Sequence, residues 1–429
     1  ITAWENDDVS HDATTREYVV INVETPGTLD KCIEAAGKDV AKVKNLKVTG
    51  TINARDFAVM RHLMPVLQSL NLKEVKIKAA EGGRIIDDDG SYDTSAYNSG
   101  NDDEISHHAF LGKKSLMHLV LPDSITRIGY GAFEGCSNIT GSLVIPEGVT
   151  DIDCGAFGGC SSLSGSLSLP SSLIRISGDG VAGGGGAFRD CGFNCKLVIP
   201  DNVEYIGELS FFGCRGLYGE LHLPEKLKFI GRQAFGDDKG LSGSLTIPQS
   251  LNTIGEGAFD ACSGLNGTLT LHDGITAIEA TAFADCRFRG ELILPKDLVS
   301  IGSRAFDFSG KLTLPNNLSA IGNRAFANNW RLTGILEIPE NMLCINAGAF
   351  SGCRGIEGLI LPEGLETISY SNYHIGGGAF EDCFGINKIV CKGTIPPYIQ
   401  SGAFDGVSKD NFTVEVPESA VIQYQAAPG

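Results

Sequence analysis

The dipeptide Ala-Phe returns along this chain at a nearly constant interval, and that interval limits what the chain can become. Phe stands at 110, 133, 157, 188, 211, 235, 259, 283, 306, 326, 350, 380 and 404; twelve of these follow Ala, and Phe211 follows Ser210. The intervals are 23 or 24 residues except for one of 20, one of 30 and one of 31. A period of this size marks a repeat array in which no unit buries its apolar face alone.

Two further marks share the period. Runs such as Leu119-Val120-Leu121-Pro122, Leu143 to Pro146 and Leu359 to Pro362 recur between the phenylalanines; only Leu269-Thr270-Leu271 is followed by His272 instead of Pro. An isoleucine follows each run, from Ile128, Ile152 and Ile176 to Ile345 and Ile368. Leu-x-Leu puts two side chains on one face of a short strand. Pro cannot donate to a ladder, so it ends that strand at a corner. Ile opens a second extended segment, Ala-Phe drops a ring into the core, and Gly turns the chain back. Stacked at about 4.8 Å per strand, some dozen coils make a rod or arc of roughly 60 Å. The expected fold is a repeat solenoid, a leucine-rich-repeat-like stack of short parallel strands in about 12–13 coils of ~24 residues. Its ends carry an α/β N-terminal cap and a short C-terminal cap.

The repeat unit, with its Leu-x-Leu-Pro, Ile-Gly and Ala-Phe-x-x-Cys marks, resembles the treponemal-type leucine-rich repeat of BspA-like bacterial surface proteins. The resemblance covers about residues 107–407. It implies a leucine-rich-repeat solenoid. It also implies a secreted or outer-surface location, with a possible lipid anchor outside this chain, and an adhesin role toward host extracellular-matrix or bacterial surface proteins.

Composition narrows the partners. Asp and Glu number 52 against 34 Lys and Arg, a net charge of −18. That balance argues against a nucleic-acid backbone or an anionic membrane as the main partner. No apolar run is long enough to cross a bilayer. Residues 1–15 read as a flexible acidic leader, 16–106 as the α/β capping region plus an acidic loop from 84, and 408–429 as the C-terminal cap. Within the first cap, strands are expected near Tyr18–Val23, Leu46–Gly50 and Leu70–Lys73, with helices opening at Thr28 and Asn53. Asp87, Asp88, Asp89 and Asp93 do not follow an EF-hand pattern, so the loop reads as solvated. Gly-rich inserts at 177–186 and 369–378 lack the Lys-Ser/Thr of a phosphate cradle and read as lengthened coils.

Thirteen cysteines are present, eight of them three residues after a repeat Phe. Lys113, Asp238, Ser309, Asn329 and Val407 take that place in the other coils, so the position reads as a turn filler with a free thiol. No Cys spacing suits zinc, and His107, His108 and His118 read as surface histidines. Nucleophile-elbow, zincin and Walker motifs are all missing from the sequence. Neither a catalytic residue nor a metal or cofactor is expected.

Binding information then lies at variable positions. The centre of Leu-x-Leu forms one outward row, and the residue before each repeat Ile forms another. That second row begins Arg127, Asp151, Arg175, Tyr205, Phe229, with His222 in the coil of Phe229. Large aromatic and Arg side chains of this kind anchor interfaces. These six are the candidate site of a non-enzymatic, monomeric protein-binding module. Two other readings stand beside it: a structural spacer or assembly element of the cell surface, and an accessory carbohydrate-binding protein. Trp4 and Trp330, the only tryptophans, offer the last reading little platform.

Overall fold

Within each compact part of the chain the repeat phenylalanines stack ring on ring, and the coils are built around these columns. The computed structural model describes residues 16–79, 101–176, 185–370, 377–408, 410 and 412–427. The leader, most of the acidic loop and the centres of both Gly-rich inserts lie outside the described residues. The chain divides into two compact units, 1–217 and 218–429. Each unit is wound as parallel β-solenoid coils of ~24 residues, about 15 turns in all, with small helical caps.

In the first unit, the rings of Phe110, Phe133, Phe157, Phe188 and Phe211 stack at 5.1–5.7 Å between centroids, with planes within 18° of parallel. The second unit repeats this from Phe235 through Phe259, Phe283, Phe306, Phe326, Phe350 and Phe380 to Phe404, at 5.3–5.6 Å. Burying one such ring is worth about 1.5–3 kcal/mol, and each offset pair adds about 0.5–1.5 kcal/mol. Ala before Phe is buried in every coil where it occurs, because a larger side chain would collide with the adjacent turn.

The N-terminal cap is itself wound in parallel. Strands β1 (Val19–Val23), β2 (Asn45–Ile52) and β3 (Ser69–Ile77) pair in order, and β3 then pairs with the first Leu-x-Leu strand, His118–Val120. Helices α1 (Leu29–Ala35) and α2 (Ala54–Ala58) return the chain. Thr28 makes no side-chain cap for α1. The cap comes from Asp56 of α2, whose buried carboxylate accepts from Leu29 N–H at 2.9 Å, Gly27 N–H at 2.6 Å and Asn53 N–H at 2.9 Å. Phe57 then closes the ring column edge-on against Phe110.

The Ile row begins earlier than the sequence marks suggest. Glu104–Ile105, at the end of the expected acidic loop, is a strand paired with Arg127–Ile128. Rows Asp151–Ile152, Arg175–Ile176 and Tyr205–Ile206 follow in parallel register.

In most coils two corners use left-handed backbone, which the sequence reading did not mark. One lies two residues before the repeat Phe and the other two residues after it. Glycine fills many of them, such as Gly131 and Gly135 around Phe133. Gln233 (φ 50°), Thr281 (φ 54°), Arg304 (φ 53°) and Arg324 (φ 58°) hold the same conformation at the first corner, and Asp190, Asp237, Asn328 and Asp382 at the second. Asp and Asn tolerate this region better than other residues. Gly186 and Gly378, which end the two inserts, stand at the first corner without positive φ. A Cβ on either would come within 1.7 Å of a carbonyl oxygen of the following coil.

In the coils of Phe283 and Phe306, continuous strand replaces the turn after Phe. Phe283–Ile293, Phe306–Thr313, Leu332–Glu337, Ile356–Leu361, Lys388–Cys391 and Thr413–Glu415 form a six-stranded parallel sheet in the second unit. Phe288 and Phe308 pair on its first two strands and fill the space that a repeat Leu fills elsewhere. The chain ends in helix Val421–Ala426, tied back by the Tyr424 hydroxyl donating to Gly393 O at 3.1 Å.

Candidate functional site

The residue before each repeat Ile sits on a parallel ladder, so identical positions in successive coils become neighbours. In the first unit that row reads Glu104, Arg127, Asp151, Arg175, Tyr205. The charges alternate in sign from rung to rung, and cross-strand pairs of opposite charge stabilise a sheet. Arg127 Nε lies 3.5 Å from Glu104, and Arg175 Nε lies 3.9 Å from Asp151. The Arg175 guanidinium also approaches the half-buried Tyr205 ring at 6.0 Å, an outer-range cation–π contact.

Arg127 is committed further. Its Nε and Nη2 donate to the Asp153 carboxylate at 3.0 and 2.9 Å. Asp153 occupies the place of the Gly in Ile-Gly and is buried, as is Glu104. Burial pushes the Asp153 carboxyl up, and the Arg127 guanidinium offsets part of that rise. His107 Nε2 stands 3.8 Å from Glu104 and 4.0 Å from Asp153. Glu104, His107 and Asp153 are groups of the kind that hold a metal ion, with ligand atoms within 4.8 Å of one another. The guanidinium of Arg127 already supplies the cation among them, so we read the cluster as an ion-pair network.

The structure thus brings Arg127, Asp151, Arg175 and Tyr205 together in one row. His222 and Phe229 belong to the second unit. His222 is exposed at the centre of Leu221-His222-Leu223, with Nδ1 3.2 Å from Glu220 O. Phe229 is half-buried and opens that unit's Ile row, where Ile230 bridges Ile254. Of the expected anchors, Arg127 spends its charge on Asp153 and Glu104, while Arg175 and His222 remain open to solvent.

The thiols make a structural row. Cys136, Cys160, Cys191, Cys214, Cys262, Cys286, Cys353 and Cys383 each donate S–H to the carbonyl of the repeat Phe one coil back, at 2.9–3.3 Å. Asn329 fills the same role with Nδ2 donating to Phe306 O at 3.1 Å. All thirteen cysteines are free. Burial pushes the Cys136 and Cys383 thiols up to about 12, the opposite of an activated nucleophile.

A cavity of about 830 Å³ lies between the last coil and the C-terminal segment, lined by Ile389, Cys391, Ile399, Phe404, Val414 and Tyr424. Burial raises both the Cys391 thiol and the Tyr424 phenol, the latter to about 12. These groups supply no base near neutral pH.

The sequence reading missed a row of exposed aromatics four residues after the repeat Phe. Trp330, Arg354 and Phe384 hold that position in three successive coils. Trp330 and Phe384 are more than half exposed. The Arg331 guanidinium lies 4.1 Å from the Trp330 ring centroid and Arg354 lies 5.5 Å from that of Phe384. Exposed aromatics at the same coil position two coils apart, with Arg beside and between them, are the signal that could have found it.

This stack of parallel coils defines a leucine-rich-repeat solenoid whose variable positions face outward. The family model described as "BspA type Leucine rich repeat region" matches in six copies over residues 101–180, 184–311 and 276–409. The chain belongs to the BspA-type leucine-rich-repeat family. It is similar to a leucine-rich repeat protein from Bacteroides ovatus, at 20% identity over 94% of both chains and a TM-score of 0.54. It is also similar to a leucine-rich cell surface protein from Faecalibacterium prausnitzii, at 20% identity over 88% of this chain and 83% of the other, with a TM-score of 0.35. A third similar structure is the Treponema pallidum leucine-rich repeat protein, at 24% identity over 50% of this chain and 77% of the other, with a TM-score of 0.29. No curated protein matches the chain. Families with this fold are generally binding scaffolds, and no catalytic family is indicated. Among the described residues, no helix is long and apolar enough to cross a membrane.

Proposed function

We propose that this chain is a non-enzymatic protein-binding module of the bacterial cell surface or its secreted fraction, acting as a monomeric adhesin. BspA-type repeat proteins are typically surface-exposed or secreted, and repeat proteins of this class mediate protein interaction. The observation that carries the reading is the row Arg175–Tyr205, where an exposed guanidinium and an aromatic ring adjoin on an outward ladder held in register by the sheet. A rigid scaffold of this kind presents side chains without the ordering cost of a mobile surface. His222 and Phe229 are proposed as further contact residues on the second unit, taken by itself.

The test is a label-free binding screen of the whole chain against fibronectin, fibrinogen, collagen and mucin, with Tyr205→Ala/Phe229→Ala alongside. Saturable binding to one of these proteins, weakened at least about tenfold in the variant, is the expected result. Binding unchanged in the variant would discard this surface. Inertness toward every protein, with self-association of the chain, would favour the spacer reading instead.

A further inference from the structure

In the second unit, Trp330 and Phe384 hold the same coil position two coils apart, with Arg354 at that position in the coil between. Hydrogen bonds between coils fix the row. Asn328 N–H donates to Ser351 O at 2.6 Å, and Gly352 N–H donates to Glu381 O at 2.7 Å. Asp382 N–H donates to Asp405 O at 2.7 Å in the next coil, and Trp330, Arg354 and Phe384 follow these three donors by two residues, on consecutive rungs. The core rings beneath them set the step: Phe326 to Phe350 is 5.4 Å and Phe350 to Phe380 is 5.5 Å.

The strip carries two arginines in a chain rich in carboxylates. Carboxylates outnumber cations by 52 to 34. Even so, neither the Arg331 nor the Arg354 guanidinium forms an ion pair with a described residue; each instead rests on an aromatic ring. A guanidinium laid on a ring keeps its N–H edge outward, and that edge matches a planar carboxylate with two parallel hydrogen bonds. The ring beside it offers an apolar face to C–H groups.

The step then selects the polymer. An extended peptide advances about 3.4 Å per residue, so its same-face side chains fall about 7 Å apart and drift out of phase with rungs of this spacing. A linear, extended polysaccharide advances by about one rung per sugar ring. We propose that Trp330, Arg331, Arg354 and Phe384 bind a linear uronic-acid polysaccharide along the solenoid. The two arginines take carboxylates, and the rings stack on the sugar faces. The strip lies wholly within residues 218–429 and does not depend on the protein partner proposed above.

The experiment is calorimetric titration of the full chain with a hexamer of β-1,4-linked mannuronate, with the neutral β-1,4-mannose hexamer as its match lacking carboxylates. Trp330→Ala and Arg331→Gln/Arg354→Gln are compared with Lys42→Gln, an exposed cation of the N-terminal cap, and unfolding midpoints check that all remain folded. The expected result is saturable binding of the uronate hexamer and not the neutral one. Binding weakens about tenfold or more in Trp330→Ala and in the double Arg variant, stays unchanged in Lys42→Gln, and weakens as salt is raised. Absence of uronate binding overturns the proposal, as does equal binding by the neutral hexamer or by the strip variants. Poly-L-glutamate binding as tightly as the uronate also overturns it and assigns the strip to an acidic protein.

Discussion

The Cys262 thiol donates its proton to the carbonyl oxygen of Phe235 at 2.9 Å, one coil back. The same bond recurs wherever cysteine holds this position, so the thiol acts as a fixed donor to an inward-facing carbonyl. Cys262→Ala leaves that carbonyl without its donor and opens a small void. The expected cost is about 1–2 kcal/mol, seen as a lower urea midpoint for the unit that contains it. Thiol reagents should leave the eight repeat cysteines unmodified in the native chain and modify them after unfolding.

Alkali should loosen the fold through these same thiols. Their native pKa is raised by burial, to about 12 for Cys136 and Cys383, above the ordinary 9.0 of the unfolded chain. The stability from the neutral native thiol is full below pH 9 and is lost as pH climbs from 9 toward 12. Each thiol that ionises only when unfolded removes about 1.4 kcal/mol per pH unit. Lys113 works the other way, since burial lowers it to about 8, and its contribution grows from pH 8 to 10.5. With many thiols against one lysine, urea midpoints measured from pH 8 to 11 should fall steeply above 9. A flat profile would refute the buried-thiol account.

Removing the cation from the Glu104–Arg127–Asp153 cluster should leave two buried carboxylates facing each other's field. Arg127→Met is expected to cost about 2–3 kcal/mol at neutral pH, below the roughly 3–5 kcal/mol of a fully buried broken pair because Arg127 is partly open to solvent. Asp153 already sits above its ordinary pKa through burial. Without the guanidinium it should rise further. Protonation then favours the native chain, so the deficit should shrink as pH falls toward 4. A deficit that is constant with pH would show that lost packing, not charge, is responsible.

Backbone strain at the first corner should be removable. Arg304 is exposed and held at φ 53°. Arg304→Gly should stabilise by about 0.5–1 kcal/mol, the left-handed penalty less the entropy of a new glycine. Gly186→Ala should cost more than about 2 kcal/mol, because its Cβ would meet Leu209 O at 1.7 Å. Thermal midpoints of the two variants should move in opposite directions.

The repeat was legible because Phe, Leu-x-Leu-Pro and Ile each answer to one packing demand, and the stacked column met that demand coil after coil. The corners were harder to read. Gly, Asp, Asn, Gln, Thr and Arg all occupy them, and only the backbone angle unites so mixed a set. Glu104–Ile105 escaped notice although Ile105 stands five residues before Phe110, as Ile128 does before Phe133; acidic neighbours hid it. The row Arg127, Asp151, Arg175 was found, but its charges were weighed singly. Parallel register sets positions 23–24 residues apart side by side, and there opposite charges answer each other before any partner arrives. Trp330 and Phe384 were missed because their position carries no fixed residue type to count.

Gly186 and Gly378 both end an insert where the chain rejoins its coil against the next coil's backbone. Extra length enters at this corner, yet the ring column crosses it with steps of 5.7 and 5.5 Å. The perimeter of a coil is therefore uncoupled from the pitch of the stack. A foreign loop closed by glycine at this corner would be carried as cargo, displayed at a chosen height along the solenoid without resetting the coils above or below it.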